Sequence, residues 1–120
     1  MNTSSSPDGD EIPESLMERL RAVARAKELT YYSEVAPLLG IETGNEYFGA
    51  QVGHVLDKVN RREFAANRPL LSAVVVSKET MRPGSGYYGC ARELRRYKGK
   101  NDDEEWLGEL MRVHDWWSRH

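Results

Sequence analysis

The stretch that decides the fold reads LTYYSEVAPLLG over residues 29–40, GNEYFGAQVGHVLDKVNRRE over 44–63, NRPLLSAVVV over 67–76 and SKETMRPGSGYY over 77–88. The first piece predicts a short helix with Ser33 as its N-cap and Gly40 as its C-cap. The second predicts a longer helix over 46–62, because its apolar residues recur at helical spacing. The β-branched third piece predicts a strand over 69–77 that is buried on both faces.

A turn rich in Arg, Pro and Gly over residues 78–86 follows the predicted strand. This order of elements is typical of a winged-helix domain, in which a helix, a turn and a second helix are followed by a strand and a glycine-rich turn. We therefore expect an α+β fold that is winged-helix-like, with a helix-turn-helix, a short sheet and additional N- and C-terminal helices. This layout presents its second helix to a nucleic acid or to a partner groove.

The remaining segments complete one domain over residues 13–120, which is a usual size for a single core. Residues 1–12 are rich in Ser, Asp, Pro and Gly and predict a disordered tail. The other predicted elements are a helix over 13–28, a strand or helix exit over 29–32, a short helix over 91–97 that Gly99 ends, and a C-terminal helix over 102–118 with Asn101 or Asp102 as its cap.

Composition narrows the functional classes. No apolar run approaches the roughly 18 to 20 residues that span a bilayer, so we expect no membrane partner. The N-terminus has neither a basic nor an apolar segment and does not resemble a secretory signal. A single cysteine, Cys90, rules out an internal disulfide framework and favours a cytoplasmic location.

Charge is unevenly distributed, although the formal net charge is −2. Residues 54–100 contain eleven Lys and Arg against four Asp and Glu, whereas the segments before and after them are acidic. Such a basic segment can follow phosphates along a nucleic acid. The alternative is a solvated surface whose cations pair with the acidic C-terminal segment.

Residues 30–88 resemble the DNA-binding winged-helix part of the O6-alkylguanine-DNA alkyltransferases and of their non-catalytic alkyltransferase-like relatives. The resemblance is carried by Tyr32 in YYSEVA, by the Val52-Gly53 step in AQVGHVL, by the strand PLLSAVVV and by PGSGYY. It implies a winged-helix scaffold and a phosphate contact from Tyr32. The chain is also similar to small uncharacterised bacterial and mobile-element proteins that share a YSEVA, RPLLSAVVV and PGxGF/Y pattern, and this similarity implies no function.

The catalytic motif of the alkyltransferases, Pro-Cys-His-Arg, is absent. The position of its cysteine falls near Ser72, whose hydroxyl lacks the nucleophilicity of a thiolate. The arginine that enters the duplex in that family would fall at Ala50, so base flipping is not supported. The resemblance therefore implies DNA binding without alkyl transfer.

Other catalytic and metal-binding patterns are weak, and we predict no enzyme, metal or cofactor. Cys90 precedes Arg92 at the start of a short predicted helix, yet a lone cysteine is more often a packing residue. His54, His114 and His120 lack the spacing of zinc ligands. The acidic run 102–105 is explained by the dipole at a helix start.

The leading hypothesis is a non-enzymatic DNA-binding protein, with a regulatory role as one option, that uses helix 46–62 and the 78–86 turn to contact double-stranded DNA. The candidate nucleic-acid-binding residues are polar or basic residues of these two segments, together with the tyrosine that precedes Ser33 at the start of the short helix. They are Tyr32, Gln51, His54, Lys58, Arg61, Arg62, Lys78 and Arg82.

The alternative is a protein-protein interaction or dimerisation module that uses the C-terminal helix. Trp106, Trp116 and Trp117 lie in this helix. Packing inside the domain is the simplest role for them. Trp116 and Trp117 point to different faces, however, so one exposed tryptophan could contact a protein partner or a second copy.

Overall fold

The structure is a computed structural model that describes residues 12–94 and 101–120. These residues form five α-helices and one short parallel sheet of two strands, an α+β arrangement that is mostly helical. The elements are α1 (Glu14–Arg25), β1 (Thr30–Tyr31), α2 (Tyr32–Val35), a 3-10 turn (Ala36–Leu39), α3 (Phe48–Ala65), a second 3-10 turn (Leu71–Val74), β2 (Val75–Val76), α4 (Ser85–Glu93) and α5 (Asp102–Arg119).

Helix α1 presents one apolar face to the core, as its periodicity predicts. The buried residues are Leu16, Met17, Leu20, Val23 and Ala24. The helix ends at Arg25 rather than at the predicted Glu28, because Lys27 adopts a left-handed conformation with a φ of 57° and turns the chain into β1. Of the predicted tail 1–12, only Ile12 lies within the described residues, and it packs against the core.

Helix α2 follows β1 without a linker. Helix α2 begins at Tyr32, so Tyr31 rather than Ser33 occupies the N-cap position. Gly40 ends the 3-10 turn in the left-handed conformation with a φ of 70°, which confirms its predicted role as a C-cap. Helix α3 begins two residues later and ends three residues later than the predicted 46–62.

Residues 70–76 are completely or almost completely buried, as predicted, but most of the predicted strand over 69–77 is wrong. Residues 71–74 form a 3-10 turn, and only Val75 and Val76 pair with β1, in parallel register opposite Thr30 and Tyr31.

Side chains replace the missing strand partners along this segment. The backbone N–H of Leu70 donates to Glu109 Oε2 at 2.7 Å, and that of Ser72 donates to Asn60 Oδ1 at 3.2 Å. The indole N–H of Trp106 donates to the Ala73 carbonyl at 2.9 Å. These partners are available only after α3 and α5 have packed around the segment.

The turn that follows β2 leads directly into a helix. Its backbone closes through the Ser77 N–H, which donates to the Arg82 carbonyl at 2.9 Å. Helix α4 begins at Ser85, so the predicted 78–86 turn ends two residues early. The short helix predicted over 91–97 begins six residues earlier, and the predicted residues 95–99 lie outside the described part of the chain.

Helix α5 agrees closely with the predicted 102–118. Asn101 caps it, because its Oδ1 accepts from the Glu104 N–H at 3.1 Å. Trp106 and Trp117 are buried, and Trp116 is partly buried and stacked on His120 with a centroid distance of 3.8 Å. Helix α5 packs on α1, so its tryptophans contribute mainly to the core.

Glu109 provides a direct test of how the buried segment is held. Its side chain is fully buried, and it accepts from Leu70 N–H and from the Arg112 guanidinium at 2.7 Å. We expect Glu109→Ala to lower the free energy of unfolding by about 3 kcal/mol, because the Leu70 N–H then lacks a partner. Urea unfolding followed by circular dichroism measures this.

The matched control is Glu18→Ala, since Glu18 is an exposed glutamate on α1. We expect that change to alter the unfolding free energy by only about 0.5 kcal/mol. Equal losses in the two variants would contradict the role given to Glu109.

Candidate nucleic-acid interface

One side of α3 is polar and exposed along most of its length. At about 100° per residue, the five predicted contact residues of this helix fall within an arc of about 100°. They are Gln51, His54, Lys58, Arg61 and Arg62. The buried residues of α3, among them Val52 and Val59, occupy the opposite side. We call these five residues the α3 face.

A groove of about 900 Å³ adjoins the N-terminal half of this helix. It lies between α3, the turn over residues 77–84 and the first residues of α4. Three of the predicted contact residues, Tyr32, His54 and Lys78, line it. The other lining residues are Ser33, Phe48, Gly49, Ala50, Gly53, Asp57, Ser77, Glu79, Gly84, Ser85, Gly86 and Tyr87.

Tyr32 connects the groove to the turn. Its hydroxyl oxygen accepts a hydrogen bond from the Gly84 N–H at 2.7 Å. Burial raises the pKa of Tyr32, although the Gly84 hydrogen bond acts in the opposite direction. The hydroxyl therefore keeps its proton at neutral pH, and its O–H remains a donor.

Lys78 and Arg82 extend from the turn with different partners. Lys78 is exposed, and its Nζ lies 5.2 Å from the centroid of the Tyr31 ring. Arg82 pairs instead with the start of α5, where its Nε lies 2.7 Å from Asp103 Oδ1. Arg92 forms a similar ion pair with Asp102. The acidic first turn of α5 thus occupies two cations of the basic central segment.

Arg61 is also held by acidic side chains. Its Nε lies 2.8 Å from Asp57 Oδ2, and its Nη2 pairs with Glu93 on α4. Hydrogen bonds to these two carboxylates raise the pKa of Arg61 above its usual range. Arg61 consequently ties α3 to α4 as well as contributing to the α3 face.

Sequence reasoning missed several residues that shape this region. Phe48 and Tyr87 form aromatic parts of the groove wall, and Asp103 and Glu93 neutralise predicted contact residues. The sequence did contain one signal for the groove, which is the spacing of Gly49 and Gly53 by four residues. Glycines at this spacing lie on the same side of a helix and leave its backbone uncovered there. No local pattern indicates the long-range ion pairs.

Cys90 has the environment of a packing residue. It is 3% exposed, and it is absent from the groove lining. Burial raises the pKa of its thiol to about 12, and a hydrogen bond with the Asp57 carboxylate acts in the same direction. A nucleophilic cysteine requires the opposite shift.

Two further features bear on function. Within residues 12–94 and 101–120, no three His, Cys, Asp or Glu side chains come close enough together to hold a metal ion. No helix in these same segments combines the length and the apolar character needed to cross a bilayer.

Comparisons with family models, with curated proteins and with solved structures find no match to this chain.

The thiol of Cys90 provides a test of its environment. At pH 8, we expect iodoacetamide to alkylate the native protein at least about a hundredfold more slowly than the protein unfolded in guanidinium, because little thiolate forms when the pKa is raised. Mass spectrometry at successive times measures both rates. Similar rates in the native and unfolded protein would show that the thiol is accessible and activated.

Proposed function

We propose that this chain is a non-enzymatic protein that binds double-stranded DNA through the α3 face and the turn over residues 77–84. The observation that carries the proposal is the α3 face itself, on which polar and basic side chains follow one another along one exposed side of the helix. A helix with such a face can lie in a DNA groove while neighbouring cations contact phosphates.

The order of elements supports this docking. Helix α2 and its 3-10 turn precede α3 as the first part of a helix-turn-helix, and the resemblance to alkyltransferase DNA-binding domains concerns the same residues. In the proposed arrangement the turn over 77–84 serves in place of a wing, and it continues into α4. In this arrangement Lys78 lies beside a phosphate, and Tyr32 donates its hydroxyl proton to another.

Electrostatics favour a contact of moderate strength. Lys58 and Arg62 give the α3 face its positive character. Asp57 does not cancel this character, because its carboxylate is paired with Arg61. Binding that depends on a few phosphate contacts is strongly weakened by salt, because counterions released from DNA supply much of the free energy.

Fluorescence anisotropy with a labelled random duplex tests the proposal. We expect binding in low salt that weakens by about a hundredfold when the salt concentration rises about fourfold. Arg62→Glu and Lys78→Glu should each weaken binding by about tenfold, because each replaces an attractive charge with a repulsive one.

The control for these reversals is Lys27→Glu, which makes the same charge change at an exposed position beyond the end of α1. Its affinity for the duplex should stay close to that of the parent protein. Absence of binding even in low salt would contradict the DNA proposal.

The acidic start of α5 gives a second test with the opposite sign. Asp102→Asn combined with Asp103→Asn removes the carboxylates that pair with Arg92 and Arg82. We expect the double variant to bind the duplex about fivefold more tightly, because two cations become available and local repulsion decreases.

Asp115→Asn is the matched control, since Asp115 pairs with Arg119 near the other end of α5. That variant should bind the duplex like the parent protein. An unchanged or weaker affinity in the Asp102 and Asp103 variant would show that the basic turn does not contact DNA.

The competing function, a protein-interaction module, is supported by a different observation. Leu107 and Met111 are 48% and 70% exposed and lie one turn apart on α5. They form a small apolar patch of the type that protein contacts use. The hypothesis drawn from the sequence needs an exposed tryptophan on α5. Trp106 and Trp117 are buried and Trp116 is partly buried. The patch becomes the leading candidate surface if the duplex does not bind.

A further inference from the structure

The groove beside α3 is lined by glycines that the fold itself does not require. Gly49 and Gly53 lie on α3, and Gly86 lies on α4. Glycine is an unfavourable residue inside a helix, and alanine is the most favourable one. The usual structural reasons for glycine are a left-handed backbone or a close contact that a side chain would block.

Neither of the usual reasons applies to these three residues. Their backbones are helical, whereas Gly40 is the glycine with a left-handed φ among the described residues. A Cβ added at Gly49, Gly53 or Gly86 would meet no atom within 4 Å. Neither backbone conformation nor packing inside the chain requires glycine there. The space that their side chains would fill is part of the groove.

The size and walls of the groove indicate the shape of an occupant. Its volume of about 900 Å³ is in the range of small-molecule sites. Tyr32, Phe48 and Tyr87 contribute aromatic rings to the lining. On α3, Gly49 and Gly53 expose backbone to the groove beside the side chains of Phe48 and Ala50. A lining that combines aromatic rings with stretches of backbone free of side chains suits a flat aromatic body.

The polar side chains of the groove include several that can donate a hydrogen bond. Tyr32 accepts from the Gly84 N–H and keeps its own O–H available for an acceptor. Lys78 adds a positive charge, and Ser33, Ser77 and Ser85 add hydroxyls. Two carboxylates also line the groove, but that of Asp57 is engaged by Arg61, which leaves Glu79 on the exposed turn. An occupant with a strong acceptor group complements this set.

We propose that the groove binds a small planar aromatic carboxylate. Its ring system lies along the glycine-bearing side of α3, and its carboxylate faces the Tyr32 hydroxyl and Lys78. The site shares Tyr32 and Lys78 with the DNA surface proposed above, but its ligand is a free small molecule, so its binding is measured in the absence of DNA.

Nuclear magnetic resonance of the nitrogen-15-labelled protein tests the proposal with 2-naphthoate as the probe. We expect saturable shifts of amide signals in residues 48–57 and 77–87, with a dissociation constant below about 1 mM. The neutral isostere 2-naphthamide should bind about tenfold more weakly, because it lacks the charge that Lys78 attracts.

Variants at the glycines separate ligand binding from folding. The double variant Gly49→Ala and Gly53→Ala should bind 2-naphthoate about tenfold more weakly, because two methyl groups enter the space of the ligand. Its melting temperature should rise, since alanine favours the helix. A loss of affinity together with a gain of stability cannot result from misfolding.

Gly89→Ala is the matched control. Gly89 lies in α4, an added Cβ there also meets no atom within 4 Å, and it does not line the groove. This variant should gain stability and bind 2-naphthoate like the parent protein.

Three outcomes would overturn the proposal. The first is the absence of saturable shifts at probe concentrations of about 5 mM, well above the expected dissociation constant. The second is unchanged binding in the Gly49 and Gly53 double variant. The third is equal affinity for 2-naphthoate and 2-naphthamide, which would exclude recognition of the carboxylate.

Discussion

The buried backbone of residues 70–76 is the constraint on which the rest of the structure depends. Backbone N–H and carbonyl groups need hydrogen-bond partners when they lose contact with water. Only the last two residues of this segment pair with a strand. The others rely on Asn60 from α3 and on Glu109 and Trp106 from α5. Satisfying this one segment therefore fixes α3, α5 and β1 around it.

The position of the candidate site follows from the same arrangement. Strands β1 and β2 are parallel, so their C-terminal ends lie at the same edge of the small sheet. Tyr32 leaves β1 at this edge, and Ser77 and Lys78 leave β2 beside it. The hydrogen bond from the Gly84 N–H to the Tyr32 hydroxyl then closes the turn over residues 77–84 against the start of α2. The groove and the α3 face are held next to each other by this edge.

Local patterns predict α1, α3 and α5 to within a few residues, but they misplace the start of α4 and assign a strand to most of the buried segment. The apolar spacing of α1 and α5, the left-handed Gly40 and the Asn101 cap depend on residues close in sequence, and the structure agrees with all of them. The run PLLSAVVV has the composition of a strand. Its main partner, Glu109, lies 39 residues away from Leu70, and a glutamate in a helix usually indicates an exposed side.

In the candidate site, too, features that depend on nearby residues are predictable, and features that depend on distant residues are not. Helical spacing alone places Gln51, His54 and Arg62 on one side of α3, so this part of the site is predictable from the sequence. The pairing of Arg82 with Asp103 joins residues 21 positions apart and depends on how α5 folds back. The number of basic residues in the sequence therefore overstates the positive charge that the turn over residues 77–84 can offer to a ligand. The groove depends on the junction of β1, β2 and α4, which no single motif contains.

The central claim is that the α3 face and the turn over residues 77–84 form one binding surface for DNA. Nuclear magnetic resonance of the labelled protein with an unlabelled duplex tests it most directly, because it locates the contact residue by residue. The account predicts that the largest changes occur at Gln51, His54, Lys58, Arg62 and Lys78, with small changes along the second half of α5. Changes centred on Leu107 and Met111, with none on α3, would contradict it.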